Sequence, residues 1–167
     1  FYLLKRRDAD HLDNLSPGIR NAVRALIQQD NKVLLLEKSG PPLGLRYALP
    51  GGGQDLGETL EQTLKRECLE EINCDIQIVR LLHVADYFKQ RSTQPPSTRQ
   101  QLEFLFECQI PVDYQPSNGT HPDKQQTGAV WIAMDTLQDI RLLPTAVIPI
   151  LQQINTGHYP YYLGQVK

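Results

Sequence analysis

An α/β sandwich around a mixed sheet is the fold class that the sequence predicts, and three observations predict it. Runs of strand length at residues 19–28, 32–38, 75–86, 101–110 and 129–134 lie on both sides of one strong helical run at 60–72. A second helical segment at 145–154 closes the chain. The length, 167 residues with 40% hydrophobic content, fits one domain with a sizeable core. Strands interrupted by one helix and followed by another place helices on the faces of a sheet.

In chain order, residues 1–18 are a lead-in that ends at the breaker Ser16-Pro17-Gly18. Residues 19–28 and 32–38 flank the turn signal Asp30-Asn31 and read as a hairpin. The unbroken Val33-Leu34-Leu35-Leu36 run predicts burial on both faces of the second strand. Arg20 and Arg24 share one face of the first strand; one of them, Arg24 ahead of Arg20, is the candidate for contacting substrate phosphate, against plain solvent exposure. Residues 39–46, with two prolines and two glycines, form a loop, and 47–49 a short strand. Gly51, Gly52 and Gly53 follow Pro50 and allow a turn or a close approach of backbone to ligand.

Thr59 is a helix N-cap, with Gln62 completing a capping box, and residues 60–72 contain neither Gly nor Pro. At about 100° per residue, Leu60, Leu64, Glu67 and Glu71 fall on one narrow face, flanked by Cys68 and Ile72 on one side and Glu70 on the other. The face that docks on the body of the protein thus becomes a carboxylate face in its last turns. A solvated acidic helix end is the plain alternative. Two features count against it: half-buried like charges are costly, and the helix dipole disfavours negative charge at a C-terminus. A hard divalent cation removes both penalties and prefers carboxylate oxygens. Arg66, with its planar fork, suits the task of holding neighbouring carboxylates in place.

Beyond the helix, residues 87–100 read as a long polar loop around Pro95-Pro96, able to close over a ligand. Residues 101–110 alternate as a strand, 111–127 form a second long loop, and 129–134 a last strand with Trp131. Pro149 is expected to kink or shorten the closing helix. Residues 158–163, HYPYYL, read as an aromatic tail serving packing or an oligomer contact. His83, inside an apolar strand, is read as a satisfied core histidine. The net charge of −2 carries no basic stripe, which argues against DNA binding. Three cysteines, not in metal-ligand spacing, point to reduced thiols and a cytoplasmic protein. No apolar run reaches membrane-spanning length, and FYLLKRR is too short, with its charge on the wrong side, for a secretory signal.

Read from Gly52, the spacing is five residues to Glu58, seven more to Arg66-Glu67, and two more to Glu70-Glu71. This pattern, LPGGGQDLGETLEQTLKRECLEEINC, resembles the box of the Nudix hydrolases and covers about one-seventh of the chain. One departure is Asn73, where the family has Gly; Asn is the second choice for a left-handed residue closing a helix. The resemblance implies an α/β/α sandwich around a mixed β-sheet, with the box as loop, helix and loop at one sheet edge. It divides the chain into the lead-in 1–18, a Nudix domain at 19–157 and the tail 158–167.

The resemblance also implies an enzyme in which water attacks a phosphorus of a diphosphate. Glu67, Glu70 and Glu71 would bind Mg²⁺, or Mn²⁺ in its place, with a Gly52 carbonyl joining the shell. Arg66 belongs with the catalytic group, and a general base comes from the cluster or from Asp123 or Glu103 outside it, both weighed against plain surface carboxylates. Arg24, Arg46, Gly52 and Gly53 are the substrate-binding candidates, and Tyr47, Tyr87, Phe88 and Trp131 are available to stack on a base.

The partner is a small-molecule nucleotide, with no DNA, no membrane, and a homodimer left open. The proline about sixteen residues beyond the box that marks many ADP-ribose hydrolases is absent, the first prolines coming later at 95 and 96, and the coenzyme A signature and the dinucleoside polyphosphate tyrosine spacing are also missing. A nucleoside diphosphate sugar such as ADP-ribose is favoured because the long loops suit a second moiety. The alternatives are a nucleoside triphosphate pyrophosphohydrolase and a non-catalytic nucleotide-binding regulator.

Overall fold

The computed structural model describes residues 14–166, so most of the lead-in expected at 1–18 lies outside the described residues. The elements are β1 (Arg20–Gln29), β2 (Lys32–Lys38), β3 (Arg46–Ala48), β4 (Gly51–Gly53), α1 (Leu60–Ile72), β5 (Gln77–Arg91), β6 (Ser97–Gln109), β7 (Gln126–Ala133), α2 (Val147–Gln153) and β8 (Tyr162–Val166). The strands connect in the order β3-β2-β1-β6-β5-β8, with β4 also on β1 and β7 also on β2. The sheet is mixed: β1 runs parallel to β6 and β5 parallel to β8, while the other pairs are antiparallel.

Asp30 and Asn31 both adopt positive φ, 51° and 58°, as a tight hairpin turn requires. The expected β1–β2 hairpin holds for only two rungs, Gln28–Val33 and Gln29–Lys32. The strands then part, β1 to pair with β4 and β6, β2 with β3 and β7. Both are buried on both faces, and their side chains alternate between two cores. Val23, Ala25, Ile27, Leu34 and Leu36 pack under α1 with Leu64, Cys68 and Ile72. Leu26, Val33 and Leu35 pack on the opposite side with Leu49, Leu82, Leu105, Val147 and Leu151 of α2. The continuous apolar runs therefore mark the middle layer of a three-layer sandwich. All three cysteines are free and buried.

Two local expectations are corrected. Residues 87–100 do not form a long loop: β5 continues to Arg91 and β6 starts at Ser97, leaving only 92–96 as the connection. The arm's polar composition concealed a strand pair whose backbone is satisfied by its own ladder. Further support comes from Asn14 and Ser16, whose backbones bond that of Thr98. The tail also contributes structure, because Tyr162–Val166 supplies β8 along the open edge of β5. Exposed aromatic side chains made this stretch look like a packing tail, yet its backbone is what the edge uses. Helix α2 is shorter than the 145–154 read from the sequence, as expected of a segment containing Pro149, which stands in the first turn, where its missing N–H has no intrahelical partner to lose.

Helix α1 starts and stops where its caps dictate. The Thr59 hydroxyl accepts from the Gln62 N–H at 3.1 Å and the Gln62 side chain accepts from the Thr59 N–H at 2.8 Å. Asn73 closes the helix at φ 52°, ψ 45°. The orphan carbonyls at this end are taken by the loop before β7: the N–H of Gly119 bonds Glu71 O, that of His121 bonds Glu70 O, and Tyr114 Oη donates to Ile72 O at 2.6 Å. The exposed Asn73 contributes its backbone conformation, so Asn73→Gly is expected to be neutral or to stabilise by up to about 1 kcal/mol in denaturant melts. A loss larger than that would show that the Asn side chain has a partner of its own.

Candidate functional site

The C-terminal half of α1 meets β4, with Glu71 against Gly51, Glu67 against Gly52 and Arg66 against Gly53. Arg66 sits at its centre. Its Nε and Nη2 grip Glu58 at 2.6 and 3.0 Å, Nη1 reaches Glu67 at 3.0 Å and Glu70 at 3.4 Å, and Nη2 also donates to the Gly53 carbonyl at 3.2 Å. Thr63 adds a hydroxyl bond to Glu58 at 2.8 Å. This fork holds the Glu58 carboxyl down at about 2, chiefly through the Arg66 hydrogen bonds, and raises the guanidinium well above its ordinary value. Arg66 thus ties the start of the box to its end.

Glu71 has no such counter-charge in contact. It is 3% exposed, and its Oε2 accepts the Gly51 N–H at 2.9 Å. Burial pushes its carboxyl up to about 8, against the Gly51 bond and the field of Arg24. Burial also raises Glu67, although Arg66 opposes the shift. The glycines provide the room. A Cβ on Gly52 would fall inside the Glu67 carboxylate, and one on Gly51, at φ 135°, would strike the Val23 backbone. The triple glycine is a short strand paired with Ala22–Arg24 of β1, with only Gly51 at positive φ, and not the free turn its composition suggested.

One chamber opens from this point and shares part of its wall with a second. One, of about 510 Å³, is lined by Gly51, Gly52, Gly53, Glu67, Glu71 and Asp123 together with a series of basic side chains. The other, of about 630 Å³, is lined by Tyr47, Tyr87, Phe88, Glu103, Leu143 and Pro144. Arg24, Lys38, Arg46, Lys89 and Asp123 border both. Arg24 donates to the Gly51 carbonyl at 2.9 Å and pairs with Glu103 at 3.5 Å. Burial opposes its charge, but Glu103, Glu71 and Asp123 together hold it above its ordinary value. Glu103 also accepts from Gln101 at 2.7 Å. Asp123 is paired with Lys38 at 2.6 Å, which keeps its carboxyl below the usual range despite burial. Arg46 bonds Gln125 at 2.6 Å.

The structure therefore brings Arg24, Arg46, Gly52, Gly53, Glu67, Glu71 and Asp123 around one chamber. Glu103 faces the aromatic chamber, while Glu70 and Arg66 lie outside both linings. Trp131 packs against the core under α1, which removes it from the stacking candidates and leaves Tyr47, Tyr87 and Phe88. His83 is buried, but its Nδ1 has no hydrogen-bond partner among the described residues, so it is not the satisfied histidine expected; burial lowers it to about 4 and keeps it neutral. Arg20, weighed beside Arg24 in the sequence, lines the chamber wall, while sequence reasoning missed Lys38, whose partner Asp123 is 85 residues away, and Lys89 and Arg99. The last two lay in the stretch read as a loop, although its alternating basic residues were a usable signal.

A family model described as the NUDIX domain matches residues 18–152. The chain belongs to the Nudix family. A Nudix hydrolase structure from Nitrosomonas europaea shares its fold, with a TM-score of 0.63, 25% identity, and coverage of 86% of this chain and 93% of that one. Among curated proteins, an ADP-ribose pyrophosphatase from Methanocaldococcus jannaschii is 36% identical over 83 residues, which are 49% of this chain and 48% of its own. An NAD-capped RNA hydrolase NudC from Vibrio atlanticus is 28% identical over 138 residues, 81% of this chain and 45% of its own. The chain spans about half the length of the curated relatives it matches. The capped helix and the Arg66 fork are thus this chain's form of the Nudix box. Among the described residues no helix is long and apolar enough to cross a membrane.

Proposed function

We propose that this Nudix chain hydrolyses the diphosphate of a nucleoside diphosphate linked to a second group, of the ADP-ribose or nucleotide-sugar type. The observation that carries the proposal is Glu71: a buried carboxylate with no contacting counter-charge, beside Glu67, in the wall of a polar chamber that shares Arg24, Lys38, Arg46, Lys89 and Asp123 with an aromatic one. Among the described residues no three acidic, His or Cys side chains converge as a ready-made cage. That fits Mg²⁺ or Mn²⁺, which takes one or two carboxylates and leaves positions for phosphate and water. Glu67 and Glu71 would hold the cation, and Glu70 and the Gly52 carbonyl would be further oxygen donors to it. When bound, the cation neutralises phosphate oxygens and lowers the pKa of water.

The chain's own groups do the rest. Arg66 keeps Glu67 aimed into the chamber and is a positioning residue. Arg24 and Arg46 bind the diphosphate from the boundary between the chambers. Tyr47, Tyr87 and Phe88 offer stacking faces for the base. Asp123 stands ahead of Glu103 as the outside proton acceptor because Asp123 lines the chamber of Glu67 and Glu71 and Glu103 does not; both carboxylates are engaged, Asp123 by Lys38 and Glu103 by Arg24 and Gln101. A cleft with two unlike chambers suits a substrate with a group on each side of its diphosphate, as in the substrate named for the ADP-ribose pyrophosphatase relative.

The test is a panel of ADP-ribose, UDP-sugars, NAD and nucleoside triphosphates with Mg²⁺, with and without chelator, following released mononucleotide and phosphate. Chelator-sensitive release of a mononucleotide from ADP-ribose or a nucleotide sugar is the expected result. Turnover of triphosphates alone would replace the substrate reading. No turnover of any member would leave a nucleotide-binding domain.

A further inference from the structure

One wall of the polar chamber is built in a way that hydrolysis of a plain diphosphate does not require. Lys89 on β5 and Arg99 on β6 are direct partners across the antiparallel ladder, and both line the chamber. Like charges on opposed rungs destabilise a sheet. Arg20 stands on β1 opposite Gln101, close enough to Arg99 for the two charges to interact, with its guanidinium over Gly53. Among the described residues none of the three forms an ion pair with a carboxylate. The Arg99 Nε is buried without a hydrogen-bond partner among those residues, a costly state for a charged donor. Burial first, and neighbouring cations second, hold both Lys89 and Arg99 below their ordinary values. In a chain of net charge −2, seven basic residues line this chamber against three acidic ones.

We propose that Arg20, Lys89 and Arg99 form a subsite for a phosphate group that the substrate carries outside the diphosphate being cleaved. A phosphate presents several acceptor oxygens and close to two negative charges. It satisfies the stranded Arg99 Nε–H, separates Lys89 from Arg99, and lies in the same chamber as Glu67 and Glu71. Its source is either a further phosphate of the chain or a monoester on a sugar. The substrate arm of this inference rests on the pyrophosphohydrolase reading; the subsite itself does not.

The experiment compares wild type with Arg99→Gln and Lys89→Gln on ADP-ribose, ADP-ribose 2′-phosphate and ATP. The subsite predicts a loss in kcat/KM of about tenfold for a substrate with the extra phosphate, and less than about threefold for ADP-ribose. Loss with ATP alone places the extra phosphate on the chain; loss with the 2′-phosphate alone places it on the sugar. Equal losses on all three substrates would reduce the wall to general attraction of anions and overturn the proposal, as would no loss at all.

A second readout needs no catalysis. In chelator, inorganic pyrophosphate raises the melting temperature of wild type more than that of Arg99→Gln, in which Arg24 and Arg46 still meet the anion, and in phosphate-free buffer Arg99→Gln melts no lower than wild type because a like-charge opposition is relieved. A larger shift in wild type than in Arg99→Gln, in a protein that hydrolyses nothing, would defeat the hydrolase reading and keep the subsite. An equal shift in both proteins would defeat the subsite whatever the enzyme turns over.

Discussion

Glu71→Gln is expected to lower turnover on the order of 10³-fold while the fold stays intact. The amide oxygen of Gln still accepts the Gly51 N–H, so the α1–β4 contact survives, but the charge that a cation requires is gone. The same substitution has a signature in stability. The folded carboxyl sits at about 8, above its unfolded value of 4.5, so the native state binds more protons between those two values. Without metal, wild type therefore loses stability as pH rises from about 4.5 to 8, by several kcal/mol in the limit of complete burial. Glu71→Gln removes that slope, so without metal the variant melts above wild type at pH 8 and close to it at pH 4.5. Mg²⁺ recovers the loss in wild type at pH 8 and does little for the variant. Near-normal turnover in a variant with a native circular dichroism spectrum would sink the assignment of Glu71 to the metal.

Helix α1 and its site were legible because their determinants are local. Thr59 and Gln62 cap the first turn, Asn73 the last, and Glu67 and Glu71 share the docking face by spacing alone. The Arg66 fork was readable for the same reason, since its main carboxylate partners lie within eight residues along the chain. What escaped depends on distant partners. Lys38 matters through Asp123, and the basic wall exists because β5 and β6 continue as a polar ladder that no apolar alternation announces. Strand β8 forms because β5 leaves an open edge, a property of the sheet and not of residues 162–166. The early parting of β1 and β2 likewise reflects competition: β4 and β6 offer β1 longer ladders than β2 does.

The three consecutive glycines should separate under alanine substitution, because each faces a different obstacle. At Gly51 the obstacle is backbone. A Cβ there would strike the Val23 carbonyl, and the φ of 135° is one that side chains rarely adopt. Neither can move without breaking the β1–β4 pairing, so Gly51→Ala is expected to destabilise on the order of 3 kcal/mol and to lose activity along with the fold.

At Gly52 the obstacle is the free end of the Glu67 side chain, and the backbone carries no positive φ. Glu67 can swing away, so the melting temperature should stay near that of wild type, helped by the lower unfolded-state entropy of Ala. Turnover should nevertheless fall by about 10²-fold, the usual consequence of displacing a reacting-site group by an ångström. Lengthening the gap between Arg66 and Glu67 gives the same outcome a second route, since their 3.0 Å bond is what aims the carboxylate. Gly53→Ala meets only the guanidinium of Arg20, which is flexible, and should disturb stability least of the three. Turnover by Gly52→Ala within about threefold of wild type, in a protein that melts normally, would mean that the Glu67 carboxylate is not part of the reacting centre. Normal stability of Gly51→Ala would mean instead that β4 does not hold the backbone conformation on which the Glu71 contact depends.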